Sequence, residues 1–223
     1  MLDNYLAPVQ AAVLRDQVAA SLRAAIASGA LESGTRLVEG EIAARMKVSK
    51  APVREALRLL EAEGLVATAP HKGTFVIRLS AADIREIHIV RAALERAAAG
   101  LFMERLEPEV LDELRGIVAT MQAAQVDLDI QRLRDADFRF HQLIVQKSGN
   151  SRIVRLWSEM QGLTRMFMVQ KKAMATKPTM SASRHALLLK TIESGDKSAF
   201  QAMLEQHVLD ACRELESIVA ATE

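Results

Sequence analysis

Asp137 and His141 stand four residues apart, one helical turn, and two further histidines, His185 and His207, recur later in the chain. Carboxylate oxygens and imidazole nitrogens are the donors that borderline divalent ions select. Each of the four lies on a face that is otherwise apolar at helical spacing. Asp137 and His141 run with Phe138, Ile144 and Val145, and His185 runs with Leu188, Leu189 and Ile192. His207 sits within a stripe of Phe200, Met203, Leu204, Val208, Ala211, Leu215 and Ile218. A buried carboxylate is costly without a partner, and a buried imidazole also needs one. Taken singly, a histidine on such a face is more often a hydrogen-bonded core residue than a ligand. Three of five histidines on inward faces favour convergence on one divalent ion, Zn first, with Ni, Cu, Mn or Fe as alternatives. Four protein donors on one side of an ion leave positions for water or a ligand carboxylate.

A second chemistry lies upstream. Between residues 45 and 58 stand Arg45, Lys47, Lys50, Arg54 and Arg58 against the single acid Glu55. A basic helix enters the major groove of duplex DNA when its outer face can hydrogen-bond base edges. Net charge is only +1, so the local cluster, not the total, carries this signal.

The elements that must position these groups follow from periodicity and punctuation. Apolar residues at Val13, Leu14, Val18, Leu22 and Ile26 predict a helix over Val9–Ser28, after a loose arm over residues 1–8, with Gly29 as its stop. A short helix over Gly40–Met46 turns inward Ile42, Ala43 and Met46, and Lys47-Val48 makes the turn. Ser49 is placed as the N-cap of the next helix and Pro52 falls in its first turn. Val53, Leu57 and Leu60 form its buried stripe, which leaves Lys50, Ala51, Arg54 and Arg58 outside. After Gly64 the pattern changes to two short β-rich runs, Leu65–Thr68 and Thr74–Ile77, around a basic tip containing His71, Lys72 and Gly73. Three helices and a hairpin predict a winged helix-turn-helix over residues 1–78.

Residues 79–223 show only helical periodicity, with acids and bases in near balance. They predict an all-α bundle of six helices near 80–105, 108–124, 129–147, 151–175, 180–194 and 196–220. Pro108, Gly149-Asn150, Pro178 and Gly195-Asp196 are the separators, with Asn150 as an N-cap. Arg91 falls on the stripe of Ile84, Ile87, Leu94, Ala98 and Leu101, so it faces inward. It is either a carboxylate clamp beside the ion or one half of a structural salt bridge. Trp157 and the methionines at 160, 166, 168 and 174 are assigned to core or dimer packing.

The motifs "PVREAL" (Pro52–Leu57), "EGLV" (Glu63–Val66) and "GTFV" (Gly73–Val76) resemble the GntR family of bacterial transcription regulators. The resemblance implies that Ser49 opens the recognition helix, that Lys50 and Arg54 face DNA, that His71, Lys72 and Gly73 form the wing contact, and that Arg36 belongs to the same surface. Lys50 departs from the family, where many members carry Arg; a point charge reads guanine less specifically than a planar fork. Downstream, "VRAALE" (Val90–Glu95), "DFRFHQLI" (Asp137–Ile144), Asn150, His185 and His207 resemble the FCD effector domain of the FadR branch, the six-helix count being closest to the VanR-type subgroup. By that resemblance Asp137, His141, His185 and His207 are metal ligands, and a small organic acid binds at or beside the metal.

The expectation is therefore a ligand-responsive DNA-binding repressor, a homodimer on a pseudo-palindromic operator. Direct metal sensing is the alternative. A helical metalloenzyme is less favoured, because no general base beyond the ligands and no nucleophile motif is present. The single Cys212 precludes an internal disulfide, and the absence of a signal pattern or a long apolar run predicts a cytoplasmic protein without a membrane partner.

Overall fold

The computed structural model describes residues 11–78, 80–170 and 182–220, without the side chains of 11–13, 165–170 and 218–220. The expected arm over residues 1–8, the break at Pro178, Met174 and the helix end over 171–175 lie outside the described residues, as do the side chains of Val13, Met166, Met168 and Ile218. The chain forms two compact units, one within Met1–Arg78 and Gly162–Gln170, the other within Leu79–Gln161 and Lys171–Glu223.

The first unit holds α1 (Ala11–Ala27), β1 (Arg36–Leu37), α2 (Glu39–Met46), α3 (Lys50–Ala62), β2 (Val66–Ala69) and β3 (Gly73–Val76). Helix α1 packs on α3. Val18, Leu22 and Ile26 of the one and Val53, Ala56, Leu57 and Leu60 of the other are buried; each Val, Leu or Ile side chain contributes about 1.5–3 kcal/mol when removed from water. Leu14, expected in the same stripe, is 43% exposed. Arg23 of α1 donates from Nε and Nη2 to the carboxylate of Glu63 at the end of α3 (2.9 and 2.6 Å), which fixes the crossing of the two helices. Lys47 closes α2 in the left-handed region (φ 54°), its N–H on the carbonyls of Ala43 and Ala44. Ser49 occupies the cap position of α3 with extended backbone, but its hydroxyl makes no cap hydrogen bond.

The hairpin gains a third strand that two residues were too short to reveal in the sequence. The sheet order is β1-β3-β2, antiparallel throughout, with Arg36 opposite Phe75 and Val66 opposite Val76. At the tip His71 adopts φ 62° and Gly73 φ 105°.

The second unit is helical among its described residues: α4 (Ala81–Met103), α5 (Pro108–Val126), α6 (Ile130–Lys147), part of α7 (Ser151–Gln170), α8 (Ala182–Glu193) and α9 (Lys197–Ala220). A capping box between Ser80 and Asp83 starts α4, and the Asn150 side chain accepts from the N–H groups of Arg152 and Ile153 to start α7. Helix α4 lies along α9, while α5 packs on α6 and α8. Trp157 is buried against Ala98 and Val145.

The inward face of α4 differs from the expected one. Ile84, His88, Arg91, Ala92, Glu95, Ala98 and Phe102 are buried, whereas Ile87, Leu94 and Leu101 are half-buried. The helix is turned by about one position, which brings two polar residues, His88 and Glu95, into the core. On α9, Phe200, Leu204, Val208 and Leu215 are buried as expected, Cys212 joins them, and Met203 is 39% exposed.

Candidate DNA-reading face and metal centre

In the first unit, burial of Pro52, Val53, Ala56 and Leu57 turns the other side of α3 outward, so Lys50, Ala51, Arg54 and Arg58 are exposed. His71 and Lys72 are exposed at the wing tip. Arg36 lies across the wing: a Cβ on Gly73 would stand 3.1 Å from its Nε, so a larger residue there would displace the guanidinium. The backbone N–H of Thr68 donates to Glu61 Oε1 at 2.8 Å, a tie between the wing and α3. The expected basic residues thus occupy the outer face of α3 and the wing.

One partner of this face was missed. Glu39, in the first turn of α2, grips Arg54: Nε lies 3.0 and 3.2 Å from its two carboxylate oxygens and Nη2 2.8 Å from Oε2. That hydrogen bond holds the Glu39 carboxyl below the usual carboxylate range against the opposing effect of burial, helped by the nearby charges of Arg54, Lys50 and Arg58. Glu55, the acid nearest in sequence, is exposed.

In the second unit, three helices bring one ligand atom each from Asp137, His141, His185 and His207 to within 4.8 Å of one another. Asp137, His141 and His185 are buried, and His207 is half-buried. His185 Nε2 lies 3.2 Å from Asp137 Oδ1. The rings of His141 and His207 stack with centroids 5.3 Å apart, and His185 stands edge-on to His207 at 4.6 Å. Burial alone would raise the Asp137 carboxyl, but the His185 hydrogen bond and the charges of His185, His141 and Arg91 hold it well below the usual carboxylate range. Burial, reinforced by His185 and His141, pushes His207 well below the usual imidazole range. An ionised carboxylate beside a neutral imidazole is the protonation state that metal binding requires. Donors on opposite sides of an ion with about 2.1 Å bonds stand about 4.2 Å apart, so this set needs only a small inward movement to close on one ion.

A buried polar cluster sits behind the four. Glu95 Oε2 accepts from His141 Nδ1 at 2.6 Å, and its Oε1 accepts from Arg91 Nε at 2.6 Å and from the Trp157 indole N–H at 2.8 Å. With Nδ1 donating to a carboxylate, His141 presents the lone pair of Nε2 to the ligand set. Burial opposes ionisation of Glu95, but Arg91, His141 and Trp157 together hold its carboxyl well below the usual range. Arg91 is thus half of a salt bridge within its own helix. His88 is a further core imidazole. Its Nδ1 lies 2.8 Å from the Ile84 carbonyl and its Nε2 is buried without a hydrogen-bond partner among the described residues. Burial, then the charge of Arg91, pushes it down to about 4. Glu95 at i+4 from Arg91 was the available sequence signal for this cluster; His88 offered none beyond its spacing to Ile84 and Arg91.

Known proteins share both halves. Residues 14–76 match the model described as bacterial regulatory proteins, gntR family, and residues 86–210 match the FCD domain. The gluconate operon transcriptional repressor of Bacillus subtilis (strain 168) is 31% identical over 91% of this chain and 85% of its own length. A protein named as a D-xylose utilization operon transcriptional repressor, from Paenarthrobacter nicotinovorans, is 31% identical over 82% of this chain and 80% of its own. Among solved structures, a GntR transcriptional regulator from Rhodococcus sp. RHA1 superposes with a TM-score of 0.77 at 25% identity, covering 90% of this chain and 96% of that one.

Proposed function

This chain belongs to the GntR family of bacterial transcription regulators, with an FCD domain as its second half, and from that premise we propose that it is a ligand-responsive repressor whose FCD domain senses a small organic acid at a metal centre. The family is one of DNA-binding regulators and not of enzymes, so a catalytic role for the four ligands has no support. The convergence of Asp137, His141, His185 and His207 carries the proposal. It would supply one carboxylate and three neutral imidazoles, a set suited to Zn, Ni, Mn or Fe.

In this reading Arg36, Ser49, Lys50, Ala51, Arg54, His71, Lys72 and Gly73 form the DNA-reading surface. Two copies in a homodimer meet successive half-sites of a pseudo-palindromic operator. The effector carboxylate docks beside His207. A groove of about 600 Å³ supports this, opening on His207 and lined also by Arg184, Leu188, Met203 and Gln206. Arg184 brings a guanidinium to this groove, with Nη2 bridged to the Glu214 carboxylate and Nη1 buried without a hydrogen-bond partner among the described residues. Arg91, expected from its inward position to be either a carboxylate clamp or half of a salt bridge, is engaged by Glu95; an effector role for it requires that this bridge be shared. The relative named as a repressor of the gluconate operon makes sugar acids the first candidates. An effector shifts DNA occupancy only by as much as it prefers one arrangement of the regulator.

The test is fluorescence anisotropy of a duplex that the full-length protein enriches from a random pool. The zinc-loaded protein is titrated with gluconate and a panel of C4–C6 organic acids. Release of the duplex by an acid, dependent on bound zinc, is the expected result. Release by zinc alone with no acid effective establishes metal sensing instead.

A further inference from the structure

We propose that Glu39 is a positioning residue for base reading: its carboxylate holds the Nε edge of the Arg54 guanidinium so that the opposite edge faces the DNA groove. The inference rests on the reading of Arg54 as a base-contacting side chain. A guanidinium carries five N–H groups in a planar fork. Glu39 engages Nε and Nη2, at 3.0, 3.2 and 2.8 Å. That leaves both N–H groups of Nη1 and the outer one of Nη2, the edge that pairs bidentately with guanine O6 and N7. The two residues lie 15 positions apart on different helices, so the pair is a tertiary contact that sets the angle of the fork relative to the helix-turn-helix. A long exposed side chain held in one rotamer has lost its freedom before DNA arrives, and it presents its donors at one place instead of many.

The location of Glu39 argues against a purely electrostatic purpose. Lys50 and Arg58 share its surroundings, and the end of the Lys50 side chain lies 3.7–4.0 Å from where a Cβ on Gly40 would stand. A carboxylate in the middle of a basic, phosphate-facing patch weakens attraction to every duplex alike. The dipole of α2 does not depend on it, because Glu41 lies in the same first turn. What a carboxylate there adds is geometry. It suppresses non-specific binding and sharpens the cognate contact, the two components of a specificity ratio.

The experiment uses the full-length protein, the duplex it enriches from a random pool, each single base-pair variant of that duplex, and a scrambled duplex, all at one salt concentration. Arg54→Ala identifies the base pair that Arg54 reads. Glu39→Gln, which keeps the shape and removes the charge, is expected to bind the scrambled duplex roughly threefold tighter and to lose about tenfold of the discrimination at that base pair. In the Arg54→Ala background Glu39→Gln should change no base preference. Thermal unfolding of each variant separates these effects from loss of fold. Uniform tightening of Glu39→Gln on every duplex, with base preference intact, would show that Glu39 merely competes with phosphates and would overturn the proposal. A wild-type preference pattern in Arg54→Ala instead removes Arg54 from the reading surface, and the proposal falls with it by a separate and recognisable route.

Discussion

Glu95 holds His141 by its Nδ1 at 2.6 Å, and neither side chain is open to solvent. The bond joins α4 to α6 and fixes the tautomer of the imidazole. The same carboxylate accepts from Trp157, the single tryptophan of the chain, at 2.8 Å. The candidate metal centre is thereby connected to an optical reporter.

Replacing Glu95 by Gln keeps the volume and removes the charge that orients His141. Outer-sphere partners of this kind are worth about 10- to 100-fold in metal affinity. Zinc affinity, measured against a competing chelator, should fall by that factor, and the change in Trp157 emission on zinc addition should shrink with it. Wild-type affinity in Glu95→Gln would mean that packing alone orients the ring.

Metal removal should be visible in stability. An ion bound by the folded state alone adds about 2.7 kcal/mol at a hundredfold excess over its Kd. Chelation with EDTA should lower Tm, and zinc should restore it. The double variant His185→Ala with His207→Ala should hold no ion by elemental analysis and should be indifferent to both reagents. Full metal stoichiometry in that variant would refute the site.

The convergence of Asp137, His141, His185 and His207 was legible in the sequence because each interrupts an apolar stripe, and the stripes of α6, α8 and α9 are regular enough to fix their inward faces. Helix α4 was less legible. Its hydrophobic residues spread around the cylinder, so the stripe held Ile84, Arg91 and Ala98 correctly but took Ile87, Leu94 and Leu101 in place of Ala92 and Phe102, one position away. That one position hid Glu95 and His88, since a helix that buries a charged pair looks less amphipathic than it is. Glu39 was hidden for another reason: a contact between α2 and α3 is set by the angle of the turn at Lys47, which spacing alone does not give.

Arg54→Ala should weaken binding to the selected duplex about 10- to 100-fold and relax preference at one base pair. Lys72→Ala, at the wing tip, should weaken binding to all duplexes alike and reduce the salt dependence by about one counterion. The two variants are distinguished by anisotropy titrations on cognate and scrambled DNA over a range of salt. Equal losses on both duplexes for Arg54→Ala would assign it to the phosphates.

His88 links stability to pH. Its folded value of about 4 lies below the ordinary imidazole value of 6.5, because burial and then Arg91 disfavour the charged form. The unfolded chain therefore takes up this proton first as pH falls. Stability contributed by the neutral state is intact above about 6.5, declines between 6.5 and about 4, and is constant below. The decline amounts to roughly 3 kcal/mol. His88→Leu removes the titrating group and the unpartnered Nε2, so its denaturant midpoint should fall less than the wild type's over that interval. Identical pH slopes would show that His88 is not held neutral.

Arg91 gives the sharpest separation between a structural and a ligand-binding role. Its guanidinium is buried and pairs with the fully buried Glu95 carboxylate. Truncating one partner of a buried pair strands the other charge in a low-dielectric core, at about 3–5 kcal/mol. Arg91→Ala should therefore unfold at markedly lower urea than the wild type, with or without an effector present. The double variant Arg91→Met with Glu95→Leu, which removes both charges and keeps the volume, should recover most of that loss. If Arg91 also clamps an effector, the recovered double variant will bind zinc more weakly, through the loss of Glu95, but will no longer release DNA on addition of acid even at saturating zinc. A stable, zinc-saturated double variant that still responds to acid would leave Arg91 as half of a structural bridge and move the anion contact to Arg184 beside His207.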